Sequence, residues 1–290
     1  KGNEKRYAIV GLPCFLKGVE LAKKTMPRLK RRVLYTLGLT CGHLPNKFYT
    51  EYLGELSGIK REELKEVNYR SKKNTNRASN FKFIAKSKNM ESGSQIPFTE
   101  ISDVWTNGWF GFNACDFCDD VFAELASVSL MDAWLPAYES EVAGTSMLVV
   151  RDKVIHSLLL EGAKSRTCEL ETVSIEKIKN SQKGVIFHKR TLLKGRLYWA
   201  SLNKRRVPKK RIEADKEVYK EHMWQIRSRF MIQLASKYHW PLSKSKSLTL
   251  FRLRMYLLSL PIFFNSLKLK IIYVAMHPLI ALKKYKASGK

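Results

Sequence analysis

Along the first 60 residues, short apolar runs alternate with stretches in which apolar residues recur every three or four positions. Residues 7–10 form an apolar run that stops at Gly11-Leu12-Pro13-Cys14, where glycine and proline punctuate a turn. Leu16, Val19, Leu21 and Ala22 then fall at helical spacing over residues 15–24. Residues 33–39 are apolar enough for a buried strand, which ends at Thr40-Cys41-Gly42. Pro45 opens a second predicted helix, whose apolar side is Phe48, Tyr49, Tyr52, Leu53 and Leu56. This strand–helix–strand–helix order predicts a parallel βαβ unit. Loops at the carboxyl ends of such strands are the usual ligand positions, and Cys14 and Cys41 both lie in them.

The pattern then turns β-rich, with strands predicted over 66–70 and 81–85 around a basic, Asn-rich stretch, 71–79. Trp105, Trp109, Phe110 and Phe112 lead into Cys115-Asp116-Phe117-Cys118. A strand over 128–130 runs into Met131-Asp132-Ala133-Trp134, and Gly144-Thr145-Ser146 opens another over 147–150. Residues 154–180 predict a helix, a short strand over 168–172 and a second helix. Beyond Gly184 the character changes. Two basic triplets, Lys204–Arg206 and 209–211, flank Pro208 as a linker or an exposed helix junction. Helices are predicted over 214–236 and 248–268, the latter interrupted by Pro261; the apolar run 271–282 follows, with Pro278 inside it and lysines on both sides. The expected fold class is α/β: a βαβ-containing mixed-sheet domain over 1–183, followed by a basic, mostly helical C-terminal extension over 184–290.

Charge adds to this picture. The 290 residues carry 53 Lys+Arg against 26 Asp+Glu, a formal net charge of +27, and no Asp or Glu follows Glu221. A cationic C-terminal region favours an anionic partner. Its long apolar runs fit the surface of an anionic membrane, with peripheral attachment at the inner face. Nucleic acid fits less well, because no recognised binding module is present. Alternatively, the same helices pack on the α/β body and the basic residues form their solvated faces. No uninterrupted apolar stretch of about 20 residues predicts a membrane-spanning helix. The chain opens on Lys-Gly-Asn-Glu with no secretory signal, so it reads as cytoplasmic, and as a fragment or a chain lacking a preceding segment.

Five cysteines, one pair of them spaced as CxxC, do not make a disulfide framework and read as thiols of a reducing compartment. Four thiolates suit a zinc ion and an iron–sulfur cluster alike, and Cys14 and Cys41 also read as small buried residues. Spacing leaves these alternatives open. The six histidines form no HxxxH or HExxH pattern, and only His43 stands near a proposed site. Asp132 could contact a cofactor or act as a structural cap. Gly144, Thr145 and Ser146 offer donors to an anion without matching a phosphate loop. Arg70 and Lys72 are either phosphate partners or ordinary solvated cations. Gly11 and Gly42 either admit backbone N–H groups to cluster sulfurs or simply make turns. No nucleophile–base arrangement is evident.

Several motifs stand together in one order: Gly11-Leu12-Pro13-Cys14, Leu39-Thr40-Cys41-Gly42, Cys115-Asp-Phe-Cys118-Asp, Ala123-Glu-Leu-Ala126, Ser129-Leu-Met-Asp132-Ala-Trp134 and Gly144-Thr-Ser146. In order and separation, across residues 6–180, they resemble the C-terminal domain of the coenzyme F420 hydrogenase/dehydrogenase beta-subunit family. Leu12, Phe15 and Met131 depart from residues common there. The resemblance implies an iron–sulfur flavoprotein oxidoreductase moving electrons between a [4Fe–4S] cluster, FAD and an organic redox substrate, coenzyme F420 or another deazaflavin. An electron-transfer protein is an implied partner. Carried over residue by residue, Cys14, Cys41, Cys115 and Cys118 are the cluster ligands, and Gly11, Pro13, Asp132, Gly144, Thr145 and Ser146 line the cofactor side. Cys168 stands outside the motifs as a structural thiol. The family's upstream portion, with a ferredoxin-like segment and a flavin-contacting stretch, is missing from this chain. Relatives beside polysaccharide-synthesis enzymes imply a sugar or polymer precursor as one substrate class. The rival expectation, from spacing alone, is a non-catalytic zinc-stabilised protein docking on membrane or nucleic acid.

Overall fold

The computed structural model describes residues 5–88, 93–242 and 248–276, the last fourteen by backbone only. Of the apolar run 271–282, the part after Met276 lies outside the described residues. Strand β1 (Tyr7–Gly11) pairs in parallel with β2 (Val33–Leu39), Ala8 opposite Tyr35 and Gly11 opposite Gly38. The crossover holds helices α1 (Pro13–Thr25) and α2 (Pro27–Arg32). Each begins with proline, whose absent N–H is not needed in a first turn. This is the expected βαβ unit.

Helix α3 spans Lys47–Leu56 and is capped by Asn46, whose side chain accepts the Phe48 N–H. Pro45 therefore does not open it: the capping bond belongs to Asn46, and Pro45 instead forms a bridge to Gly111. Strands β3 (Leu64–Ser71), β4 (Lys82–Ser87) and β5 (Ser94–Pro97) make a separate antiparallel sheet. Two short helices, α4 (Ser102–Thr106) and α5 (Asn113–Asp116), follow. The chain then returns to the first sheet with β6 (Val128–Asp132), parallel to β2, and β7 (Ser146–Val150), antiparallel to β6. The order β1-β2-β6-β7 sets the carboxyl ends of the three parallel strands along one edge.

Two details fix that edge. A Cβ on Gly38 would sit 2.2 Å from the Cβ of Ala123 and 2.9 Å from that of Ala126, so only glycine lets the segment before β6 lie on β2. Leu16 of α1 packs with Ala123 and Ala126 over the same face.

Helix α6 (Lys153–Lys164) is capped by Asp152, and α7 (Ile175–Ser181) by Ser174. The predicted strand over 168–172 is not formed. Glu169 to Thr172 are exposed with irregular backbone, and a strand without a neighbour leaves its backbone hydrogen bonds to water. A helical run that the sequence pattern does not predict comes next: α8 (Lys183–Ile186), one π-helical turn (Phe187–Thr191) and α9 (Leu192–Leu202). After an irregular basic linker, Asp215 caps α10 (Lys216–Leu242), which departs from helical geometry at His222. Helix α11 (Leu248–Met276) runs through Pro261 without the expected interruption. Phe251 and Met255 are buried in the core and hold the turns before the proline, so the loss of one hydrogen bond does not end the helix.

The main core joins Tyr52 and Leu53 of α3, Phe83 of β4, and Trp109 and Phe110 with Ile232 and Trp240 of α10 and Phe251 and Met255 of α11. Helices α10 and α11 are thus built into the same apolar interior as α3 and the antiparallel sheet β3–β5, while the four-stranded sheet has its own small cluster at Leu16, Ala123 and Ala126. Among the described residues no helix is long and apolar enough to cross a membrane.

Candidate metal centre

Three loops carry cysteines to the carboxyl edge of the sheet. Cys14 is the second residue of α1 and is exposed. Cys41 follows β2 by two residues, and its N–H donates to the carbonyl of Val121 at 3.2 Å. Around α5 the chain folds tightly, Cys115 N–H to Phe112 O at 3.0 Å and Cys118 N–H to Cys115 O at 3.2 Å, which presents the CxxC sulfurs together. All five cysteines are free thiols.

Burial pushes the Cys41 thiol up to about 11; Lys189 opposes the rise, and Cys115, Cys118 and Cys14 add to it. Three sulfurs from two other segments thus lie within electrostatic reach of Cys41. Burial also raises Cys115, against the Leu44 N–H, which donates to its Sγ at 3.4 Å, and against Lys189.

Lys189 sits on the π-helical turn and is 2% exposed. Its Nζ donates to Cys118 Sγ at 3.3 Å and to the Asp120 carbonyl at 2.8 Å. Among the described residues no carboxylate lies within ion-pair distance of it. A buried ammonium demands an anion or several acceptors; here the Cys118 sulfur and the Asp120 carbonyl are its partners, and the Asp120 carboxylate lies within electrostatic reach.

The CxxC turn is fixed from behind by buried charge. Asp116, between the two cysteines, accepts from Arg229 Nε at 3.4 Å and Gln233 Nε2 at 3.1 Å on its carboxylate, and from Arg196 Nε at 2.7 Å on its carbonyl. Burial lowers Arg196 to about 10, so it remains charged at neutral pH with Asp116 as its counterweight. Further out, Asp119 and Glu124 receive Arg211, and Arg190 joins Glu124. His43 is buried against Trp105, ring centroids 4.2 Å apart, and burial with Arg229 and Lys189 lowers its pKa to about 3. It is neutral here, and its buried Nε2 has no hydrogen-bond partner among the described residues.

The other expected site residues fall into two places. Gly11 and Pro13 flank Cys14 at the end of β1 and start of α1. Asp132 closes β6 on the same edge; its carboxylate pairs with Arg70 at 2.9 Å and its carbonyl accepts from Gln182 at 2.8 Å. Arg70 lies over the rings of Phe81 and Trp134. Gly144, with φ +94°, makes the turn into β7 beside Lys72, Thr145 accepts the Ala133 N–H, and Ser146 pairs with Asp132. Arg70, Lys72, Asp132 and Gly144–Ser146 form a polar group in which Arg70 and Asp132 already neutralise each other. Cys168 points at the Leu159 carbonyl of α6 at 3.8 Å.

Among the described residues, no three His, Cys, Asp or Glu side chains are gathered closely enough to hold a single metal ion. A tetrahedral zinc with Zn–S bonds of about 2.3 Å requires sulfurs roughly 3.8 Å apart. An iron–sulfur cluster places its own irons and sulfides between the thiolates and needs no such approach. Four free thiols from three loops, Cys115 and Cys118 already receiving N–H donors and Lys189 beside Cys118, are donors of the kind an iron–sulfur cluster would use.

Lys189, Arg196 and Arg229 are not among the residues that the sequence pattern singles out. A signal is nevertheless there as a helical ladder: Lys189, Leu192, Leu193, Arg196, Leu197 and Ala200 are all buried at three- and four-residue spacing.

A chain of the F420-reducing [NiFe] hydrogenase complex from Methanosarcina barkeri, in a xenon-derivatised structure, is similar at 15% identity, with a TM-score of 0.47. The match covers 70% of this chain and 66%, just under two thirds, of that one. No protein with a curated description matches. The family model for the C terminus of the coenzyme F420 hydrogenase/dehydrogenase beta subunit matches residues 4–176, which include all four cysteines of the edge. The chain belongs to the coenzyme F420 hydrogenase/dehydrogenase beta-subunit family.

Proposed function

We propose that this chain is an electron-transfer oxidoreductase module that holds one [4Fe–4S] cluster on Cys14, Cys41, Cys115 and Cys118. The supporting observation is the convergence of four free thiols from three loops on one sheet edge, with the buried ammonium of Lys189 among them. When bound, the cluster supplies one-electron transfer. The chain's own residues do the rest. Asp116, Arg196 and Arg229 hold the CxxC turn rigid, and the Leu44 N–H and Lys189 donate to sulfur.

The organic partner is a deazaflavin or a related two-electron substrate, following the family. The Arg70, Lys72, Asp132 and Gly144–Ser146 group at the end of β6 offers polar contacts on the same edge, where α/β sheets commonly take ligands. FAD, a sugar substrate, a protein electron partner and an anionic membrane surface rest on the resemblance and the charge alone. The division into a redox domain over 1–183 and a basic region over 184–290 is a functional one in this reading, since both contribute to one core.

Purification under strict anaerobic conditions tests the reading. A brown protein with iron and acid-labile sulfide in equal amounts, about four of each per chain, is the expected result. Each of Cys14→Ser, Cys41→Ser, Cys115→Ser and Cys118→Ser reduces that content, whereas Cys168→Ser leaves it unchanged. A colourless protein with one zinc per chain refutes it.

A further inference from the structure

The family match ends at residue 176, yet a lysine from the helical run that follows reaches into the cysteine site. Lys189 is 2% exposed, and two of its three protons are directed at fixed acceptors, the Cys118 sulfur at 3.3 Å and the Asp120 carbonyl at 2.8 Å. Its placement is built. The π-helical turn at Phe187–Thr191 interrupts an otherwise α-helical run, and such turns are rare and occur frequently at functional sites. Leu192, Leu193, Leu197 and Ala200 bury the same face below it. Arg190, the next residue, points elsewhere and pairs with Glu124. A solvated lysine would need none of this.

We propose that Lys189 is a positioning residue, the fixed counter-charge of the cysteine-bound cluster, which holds the Cys118 sulfur and makes the cluster easier to reduce. The inference rests on the cluster reading above and deepens it. Four thiolates give a [4Fe–4S] centre a net negative charge that grows by one on reduction. A positive charge a few ångströms away in a buried setting favours the more negative state. Lys189 thus raises the reduction potential, and its removal lowers it. The region beyond the family-matched residues thereby sets the electrochemistry of the site.

The test compares full-length wild type, Lys189→Met, Lys189→Gln, Lys189→Arg and Arg190→Met, all loaded with iron and sulfide anaerobically. Each is checked for folding by circular dichroism and titrated electrochemically with the reduced cluster followed by electron paramagnetic resonance. The Met variant removes charge and donor; the Gln variant keeps a donor for the Asp120 carbonyl and still reads the charge if the Met variant misfolds. Expected is a shift to more negative potential in both neutral variants, a potential near wild type in Lys189→Arg, and a smaller shift in Arg190→Met. A folded neutral variant that loses iron while Lys189→Arg keeps it supports the counter-charge equally. An unchanged potential in a loaded neutral variant overturns the inference and leaves the cluster reading standing, as does a Lys189→Arg variant impaired as badly as Lys189→Met. Wild type that takes up neither iron nor sulfide overturns both.

Discussion

Asp116 lies between two ligand cysteines, and its side chain points away from them into the protein. Replacing it by alanine removes the carboxylate that faces Arg229 Nε at 3.4 Å, with both side chains less than a tenth exposed. At an effective dielectric of about 20, the direct attraction at that distance is about 5 kcal/mol. Desolvation of the two ions offsets much of it in the intact protein. The variant keeps the cost of burying Arg229 and loses the compensation, which places the expected destabilisation at about 3–5 kcal/mol. Gln233 loses an acceptor as well. Urea unfolding followed by tryptophan fluorescence reads the change as a lower midpoint. Asp116→Asn, which retains an acceptor without the charge, falls between wild type and Asp116→Ala. In Asp116→Ala/Arg229→Met, the stranded cation is gone and a substantial part of the loss returns. An Asp116→Ala variant within about 0.5 kcal/mol of wild type, the range of an ordinary surface change, would refute the claim that this pair fixes the CxxC turn.

Three further outcomes follow from other parts of the molecule. Gly38→Ala forces its Cβ against two alanine Cβ atoms that cannot rotate away, so it destabilises by about 1–3 kcal/mol and lowers iron uptake by shifting the Val121 carbonyl that holds Cys41; wild-type stability and iron content would contradict this. Arg211 and Arg190 hold the Glu124 carboxyl below its ordinary value. The stability it contributes is therefore present above the unfolded value near 4.3 and fades as pH falls through the lower folded value. Glu124→Gln should lose about 1 kcal/mol at pH 7 and converge on wild type in acid; a gap that persists in acid would sink that assignment. A chain ended at residue 183 leaves Tyr52, Phe83 and Trp109 without Ile232, Trp240 and Phe251, so it should be insoluble or lack a cooperative thermal transition, which scanning calorimetry checks.

Much of the sheet was legible because its strands are short apolar runs ended by strong punctuation. Gly11-Leu12-Pro13 and Thr40-Cys41-Gly42 mark the ends of β1 and β2, and the observed elements agree to within a residue or so. That punctuation is enough to set two cysteines at one edge of a parallel sheet. The strand expected at 168–172 failed for a reason local pattern does not carry: pairing requires a neighbour, and that segment has none. The supporting side of the site was hidden by its chemistry. Helix α10 buries Ser228, Arg229, Gln233 and Ser236 along with Ile226, Ile232 and Trp240, so its inward face does not read as apolar. Lys189 and Arg196 lie in a basic stretch that reads as solvated, and only their tertiary partners, a thiol and a backbone carbonyl, bring them inside. Charged residues are rarely buried unless paired, and those pairs span about 70 to 80 residues of sequence.

Mössbauer spectroscopy of anaerobically prepared, isotopically enriched protein addresses the four-cysteine claim most directly. Expected is the signature of one four-iron, sulfide-bridged cluster per chain, lost or rearranged when either Cys14 or Cys41 is replaced by serine. Iron without sulfide bridging, or a cluster spectrum indifferent to both substitutions, would contradict that claim.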